Sequence, residues 1–158
     1  VFDVDGVLAD VRHRLHFVEG RPKDWDGFFA AMDDDAPLLD GVERVQRRAD
    51  EGHAIVYLTG RNESYRALTT DWLRRHGLPE GVVVMRREDD RRPGRIFKPQ
   101  ALDRIARAGR VVTVVDDDDA VVAVLRRQGW PVEHATWMTA APEAQQSLFD
   151  AQEVDGRT

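Results

Sequence analysis

Apolar runs of strand length alternate with helical patterns along this chain, and that alternation restricts its fold more than any other feature. Residues 1–5, 53–59, 82–85 and 110–116 are such runs, and 131–136 reads as a fifth. Between them, residues 42–51, 63–76, 97–108 and 120–128 have helical spacing and are closed by Gly52, Gly77, Gly109 and Gly129, each able to take the left-handed cap. Strands separated by single helices predict right-handed crossovers and a parallel sheet covered on both faces, with ligands at the carboxyl ends of the strands. A chain of 158 residues is long enough for one such domain and too short for two. The expectation is a single α/β domain over residues 1–158, a doubly wound parallel sheet, with a last helix at 142–149 and a frayed tail from 152. Because the chain opens directly on a strand, at Val1, a further domain N-terminal to it is also expected.

Residues 10–40 break the rhythm and are too many for an ordinary connection. They predict a small helical cap insertion, at about residues 11–40, lying over the site. Trp25, Phe28 and Phe29 sit there at helical spacing, either as a stacking surface for a nucleobase or as the core of the cap.

Acidic and polar residues collect where the apolar runs stop: Asp3 and Asp5 at the first, Thr59, Gly60 and Arg61 at the second, Asp116 to Asp119 at the fourth. Several carboxylates on one sheet edge repel one another unless a cation sits among them. There is no cysteine, and none of the five histidines is spaced to bind zinc, so oxygen ligands predict a hard ion, Mg²⁺, and the histidines read as structural. Asp3 and Asp5 are two apart, so in an extended strand both face one way. One can attack a phosphorus atom while the other moves a proton, and the acyl phosphate so formed is labile to water. Gly6 permits a sharp turn that brings backbone N–H groups near the phosphate.

Basic residues offer two readings. Arg86, Arg87, Arg91, Arg92 and Arg95 follow the third run and suit phosphate oxygens, or are a solvated loop balanced by Glu88, Asp89 and Asp90. Arg12, His13, Arg14 and His16 enter the cap and can meet the leaving side of a substrate, Arg14 and Arg87 being the candidates carried forward. The net charge of −6 argues against a nonspecific nucleic-acid coat protein and leaves room for a local basic patch. No apolar run is long enough for a membrane span, so no membrane partner and a cytoplasmic location are expected.

The stretch from Asp3 through Asp10, Leu58-Thr59-Gly60-Arg61, Lys98 and Val115-Asp116-Asp117 resemble, in that order, the four motifs of the haloacid dehalogenase superfamily. The resemblance implies Asp3 as nucleophile, Asp5 as general acid and base, Thr59, Gly60 and Lys98 as phosphate holders, and Asp3, Asp5, Asp116 and Asp117 around Mg²⁺. A narrower resemblance, to the 3′-phosphatase domain of phage-type polynucleotide kinase-phosphatases, rests on residues 23–29, Thr59-Gly60-Arg61, Trp72-Leu73, Met85-Arg86-Arg87 and residues 121–129. It implies removal of a terminal 3′ phosphate from DNA or RNA, with Arg61 touching substrate and a kinase domain as partner. No Gly-x-x-x-x-Gly-Lys-Ser/Thr loop occurs in this chain. The fourth motif runs on into Asp118 and Asp119, where a basic residue is expected, and Asp118 reads as a helix cap. A proline and a glycine also precede Lys98 where an acidic residue is expected. The competing readings are a phosphatase for free nucleotides or sugar phosphates, an inactive binding module, and a receiver-like signalling domain; the last would carry its aspartate on a middle strand rather than the first.

Overall fold

The structure is a computed structural model and describes residues 1–138. The expected helix at 142–149 and the tail from 152 lie outside the described residues.

The sheet forms around the first residues of the chain. Phe2 bridges in parallel to both Tyr57 and Val115, with Phe2 N–H donating to Val56 O and Leu58 N–H to Phe2 O, both at 2.8 Å. On the other side Asp3 N–H donates to Val115 O and Val115 N–H to Val1 O, both at 2.9 Å. This central segment lies between β3 (Ile55–Asn62) and β5 (Val114–Asp116). Outside them run β4 (Gly81–Arg86), parallel to β3, and β6 (Val132–His134), parallel to β5. The resulting parallel order, β4, β3, the first residues, β5, β6, reproduces the expected doubly wound sheet. Two short strands not expected, β1 (Ala9–Asp10) and β2 (Ala36–Pro37), pair antiparallel outside it.

Neighbouring residues on one strand face opposite cores, as the two-residue period requires. Phe2, Tyr57 and Val115 pack with Val45 of α3 (Leu39–Asp50) and Trp72 and Leu73 of α4 (Arg66–Arg75). Leu58 and Val114 pack on the other face with Phe97, Ala101 and Leu102 of α5 (Gly94–Ile105) and Val121 and Leu125 of α6 (Asp119–Arg127). Burial on both faces explains why the strands read as continuous apolar runs.

Three helix-closing glycines, Gly52, Gly77 and Gly129, have positive φ, and Gly109 does not. α5 ends at Ile105, where Arg107 and Ala108 N–H bond three residues back and tighten the last turn before Gly109 is reached. It also starts three residues earlier than the apolar pattern suggests, with Pro93 at its N-cap, because a proline at a helix start sacrifices no hydrogen bond.

Between β1 and β2 lie α1 (His16–Glu19), α2 (Trp25–Ala30) and two 3₁₀ turns, Arg12–Arg14 and Ala31–Asp34. The β1–β2 pair thus brackets the insertion at residues 11–35, short of the expected bound at 40, since α3 already begins at Leu39. Trp25, Phe28 and Phe29 are buried with Val11, Leu15, Val18 and Met32. They form the core of the insertion, not an open stacking surface. Among the described residues no helix is long and apolar enough to cross a membrane.

Candidate active site

The carboxyl ends of the central strands gather buried charged residues. Asp3 lies beyond Phe2, Asp116 ends β5, and Asp117 follows it before α6 starts. One carboxylate oxygen from each of Asp3, Asp116 and Asp117 lies within 4.8 Å of the others, and all three residues are buried. Lys98, on the second turn of α5, reaches the same place: its Nζ donates to Asp3 Oδ2 and, at 2.6 Å, to Asp116 Oδ2. The earlier start of α5 moves Lys98 from the first turn of the expected helix to the second turn of the observed one.

Burial raises the proton affinity of all three carboxylates. For Asp3 and Asp116 it outweighs the nearby Lys98 ammonium, and Asp116 is pushed up to about 7. Asp117 is raised well above the ordinary range by burial and then by the charges of Asp3 and Asp116. Burial alone would lower the Lys98 ammonium, but Asp116 and Asp3 reverse this and hold it protonated. When all three are ionised, they leave two negative charges against the one ammonium in an oxygen-only cluster, which a hard divalent cation such as Mg²⁺ could neutralise.

Gly6 turns the chain away from this cluster with φ of +74°. Asp118 caps α6, its side chain accepting from Ala120 and Val121 N–H, as expected of an acidic residue at that place. Asp119 is exposed in the first turn of the same helix.

Thr59, Gly60 and Arg61 occupy the irregular end of β3. Between the Leu58–Val84 and Asn62–Arg86 pairs, β3 advances four residues while β4 advances two, so this triplet is thrown out of the ladder at the site edge. Thr59 is fully buried, and its Oγ1 accepts from Arg61 N–H at 3.2 Å. Gly60 O accepts from the buried Arg86 Nε at 3.1 Å.

Several sequence expectations change here. The Asp5 carboxylate stands outside the three-carboxylate cluster. It is held by two buried arginines, with Arg14 Nη2 and Arg61 Nη2 both donating to Asp5 Oδ1 at 2.6 Å. Burial would raise Asp5, but Arg61 and Arg14 outweigh it and keep the carboxyl well below its usual range. Arg61 and Arg14 were expected to meet substrate, yet both side chains are 0% exposed and donate chiefly to Asp5 and Asp35, with Arg14 Nη1 on Phe28 O and Arg61 Nη1 on Thr69 Oγ1. Arg87 is exposed and pairs with Asp89, so the bland reading of a solvated loop fits it. Arg86 departs from that loop: its guanidinium is buried over the Phe97 ring, and burial lowers it to about 10.

Sequence reasoning missed Asp35, which lies among three consecutive aspartates with nothing local to single it out. The contacts of two histidines were also not foreseen: His13 Nε2 sits 2.9 Å from Asp35 Oδ1 and His134 Nε2 sits 3.2 Å from Asp117 O.

The family described as polynucleotide kinase PNKP phosphatase domain matches residues 1–136. No curated protein matches the chain. Among solved structures, a Pnkp1/Rnl/Hen1 complex superposes with a TM-score of 0.70 at 24% identity, covering 86% of this chain and 44% of that one. A Pnkp1/Rnl/Hen1 RNA repair complex gives 0.69 at 24% identity, covering 84% of this chain and 40% of that one. The present chain therefore spans less than half of either. The class C acid phosphatase from Bacillus anthracis with tungstate bound gives 0.63 at 13% identity, covering 94% and 76% of the two chains. At these identities the structural likenesses establish the fold.

Proposed function

The chain belongs to the polynucleotide kinase PNKP phosphatase domain family and is a phosphatase, and on that premise we propose that it removes 3′ phosphates from polynucleotide ends through an aspartyl phosphate on Asp3. The observation that carries the mechanism is Lys98 bridging Asp3 and Asp116 within a buried three-carboxylate cluster.

An Asp3 carboxylate oxygen attacks phosphorus, and the bond from phosphorus to the leaving oxygen breaks. Asp5 gives its proton to that oxygen, which departs as a free hydroxyl. Asp5, now a carboxylate, takes a proton from water as the water oxygen attacks the phosphorus of the aspartyl phosphate. Inorganic phosphate leaves and Asp3 is restored. In the resting protein Arg61 and Arg14 hold Asp5 ionised, the form the second step needs. The charge of an arriving phosphate raises its proton affinity, and Asp5 takes up the proton it gives in the first step from the bound phosphate monoanion; the proton it gains in the second step is returned to solvent as phosphate leaves.

Lys98 holds the nucleophile and lends positive charge to the phosphoryl oxygens, and Thr59 sits at the neighbouring strand end to receive them. Asp3, Asp116 and Asp117 are the residues that would hold Mg²⁺, which when bound supplies charge neutralisation for in-line displacement. We read the chain as one domain in which residues 11–35 form a small cap. The likeness to chains of Pnkp1/Rnl/Hen1 complexes, one of them described as an RNA repair complex, supports a nucleic-acid end as substrate and other domains as partners.

The test is phosphate release with and without Mg²⁺ from a 3′-phosphorylated oligonucleotide, compared with mononucleotides and a sugar phosphate at equal concentration. Preferential release from the oligonucleotide is expected. Release from the small compounds alone would keep the mechanism and remove the polynucleotide substrate.

A further inference from the structure

Asp5 is fixed by two arginines, and the same second carboxylate holds both of them. Arg14 donates from Nε to Asp35 Oδ1 and from Nη2 to Asp35 Oδ2, both at 2.7 Å, while Arg61 Nη2 donates to Asp35 Oδ2 at 2.9 Å. Asp35 is 1% exposed, so two guanidiniums and two carboxylates form a closed group away from water. Each member comes from a different part of the chain: Asp5 from the strand end, Arg14 from the first 3₁₀ turn, Arg61 from the irregular end of β3, Asp35 from the return of the insertion. Asp35 is itself tied down, its backbone carbonyl accepting from Trp72 Nε1 of α4 at 2.8 Å and its carboxylate meeting His13.

We propose that Asp35 is a positioning residue for catalysis: by sharing with Asp5 the Nη2 of both Arg14 and Arg61, it fixes the direction in which the Asp5 carboxylate faces the leaving oxygen. The proposal rests on the reading of Asp5 as the proton donor. A guanidinium has several donors in one plane and can satisfy a lone carboxylate in several orientations. Two forks shared with a second, anchored carboxylate leave a single arrangement. Without the second carboxylate, Arg14 keeps besides Asp5 only a long bond to Phe28 O and Arg61 a long bond to Thr69 Oγ1, so both forks can turn and Asp5 turns with them. Productive proton transfer tolerates displacements of only about 0.5 Å.

Proton donation matters most when the leaving group is a poor one, such as a ribose hydroxyl, and least for a nitrophenolate, which leaves without a proton. The experiment compares kcat/KM of Asp35→Asn on a 3′-phosphorylated oligonucleotide and on p-nitrophenyl phosphate. This constant covers only the steps up to departure of the leaving group. We expect a loss of about 10- to 100-fold on the oligonucleotide and at most about 3-fold on p-nitrophenyl phosphate. Equal losses on both, as a merely structural role would give, would overturn the proposal. If circular dichroism shows Asp35→Asn unfolded, the same comparison is read on Asp35→Glu, which keeps the charge and shifts it; a uniform or absent loss there overturns the proposal as well. Asp5→Asn is the control. If it loses both substrates equally, the proton-donor reading falls and takes this inference with it; if it alone shows the leaving-group dependence, only the role of Asp35 falls.

Discussion

Gly6 and Asp117 compete for one small volume: a Cβ placed on Gly6 would lie 1.9 Å from Asp117 Oδ2 and 2.4 Å from its Cγ. The turn after the first motif therefore needs glycine twice, for its φ of +74° and for the room the carboxylate occupies. Gly6→Ala should push Asp117 out of the carboxylate cluster. We predict that it weakens Mg²⁺ binding by about 10- to 100-fold, read by calorimetric titration. An unchanged Mg²⁺ affinity would show that Asp117 is not a ligand.

Asp3→Asn should leave the fold intact and lower turnover by on the order of a thousandfold or more, the scale on which enzymes lose a nucleophile. Neutralising one of three crowded carboxylates also predicts a melting temperature, measured without Mg²⁺, at or above that of the parent. Retained turnover would sink the aspartyl-phosphate mechanism.

The stability of the metal-free protein should fall as pH rises. Burial, followed by the charges of Asp3 and Asp118, pushes the folded Asp116 up from 3.8 to about 7 against the pull of Lys98, so the folded state binds more protons than the unfolded state between those values. Stability is then highest below the unfolded value and is lost through the folded one, by a few kcal/mol at most. Asp5 is shifted the opposite way, and its contribution is lost only as pH falls below the ordinary carboxylate range. Because Mg²⁺ competes with protons for the cluster, the rise in Tm on adding Mg²⁺ should grow from pH 5 to pH 8. A larger Mg²⁺ effect at pH 5 than at pH 8 would contradict the assignment.

Arg61→Ala leaves Asp5 with Arg14 alone, an arginine it shares with Asp35. The expected cost is about 3–5 kcal/mol, the range for breaking a buried charge pair, read by urea unfolding. Arg87→Ala, at an exposed pair with Asp89, should change neither the midpoint nor turnover. A destabilised Arg87→Ala protein, or an unaffected Arg61→Ala protein, would reverse the placement of the two arginines relative to the site.

Trp72→Phe deletes the donor to the buried carbonyl of Asp35 while keeping most of the ring volume. A loss of about 1–3 kcal/mol is expected from the unsatisfied carbonyl. If the unfolding midpoint does not move, the insertion is not anchored to α4 through this bond.

The fold was legible from local pattern. Strands such as 55–62, buried on both faces, read as apolar runs, and α3, α4 and α6 carry their spacing openly, so the order of elements followed from residues alone. The α5 start and Gly109 were misread because local helical spacing does not reveal that Pro93 can start a helix or that a 3₁₀ turn can end one early. The three clustered carboxylates, Asp3, Asp116 and Asp117, were also named from sequence, because carboxylates after an apolar strand are conspicuous by type and place. Their partners were not. Asp5 and Arg61 are 56 residues apart and Arg14 and Asp35 are 21 apart, so no local signal links them. Sequence determined which charged groups the chain carries and at which strand ends they emerge. Only the tertiary structure decided how they pair, since a buried charge takes whatever counter-charge packing brings within a few ångströms: Lys98 for Asp3 and Asp116, Arg14 and Arg61 for both Asp5 and Asp35.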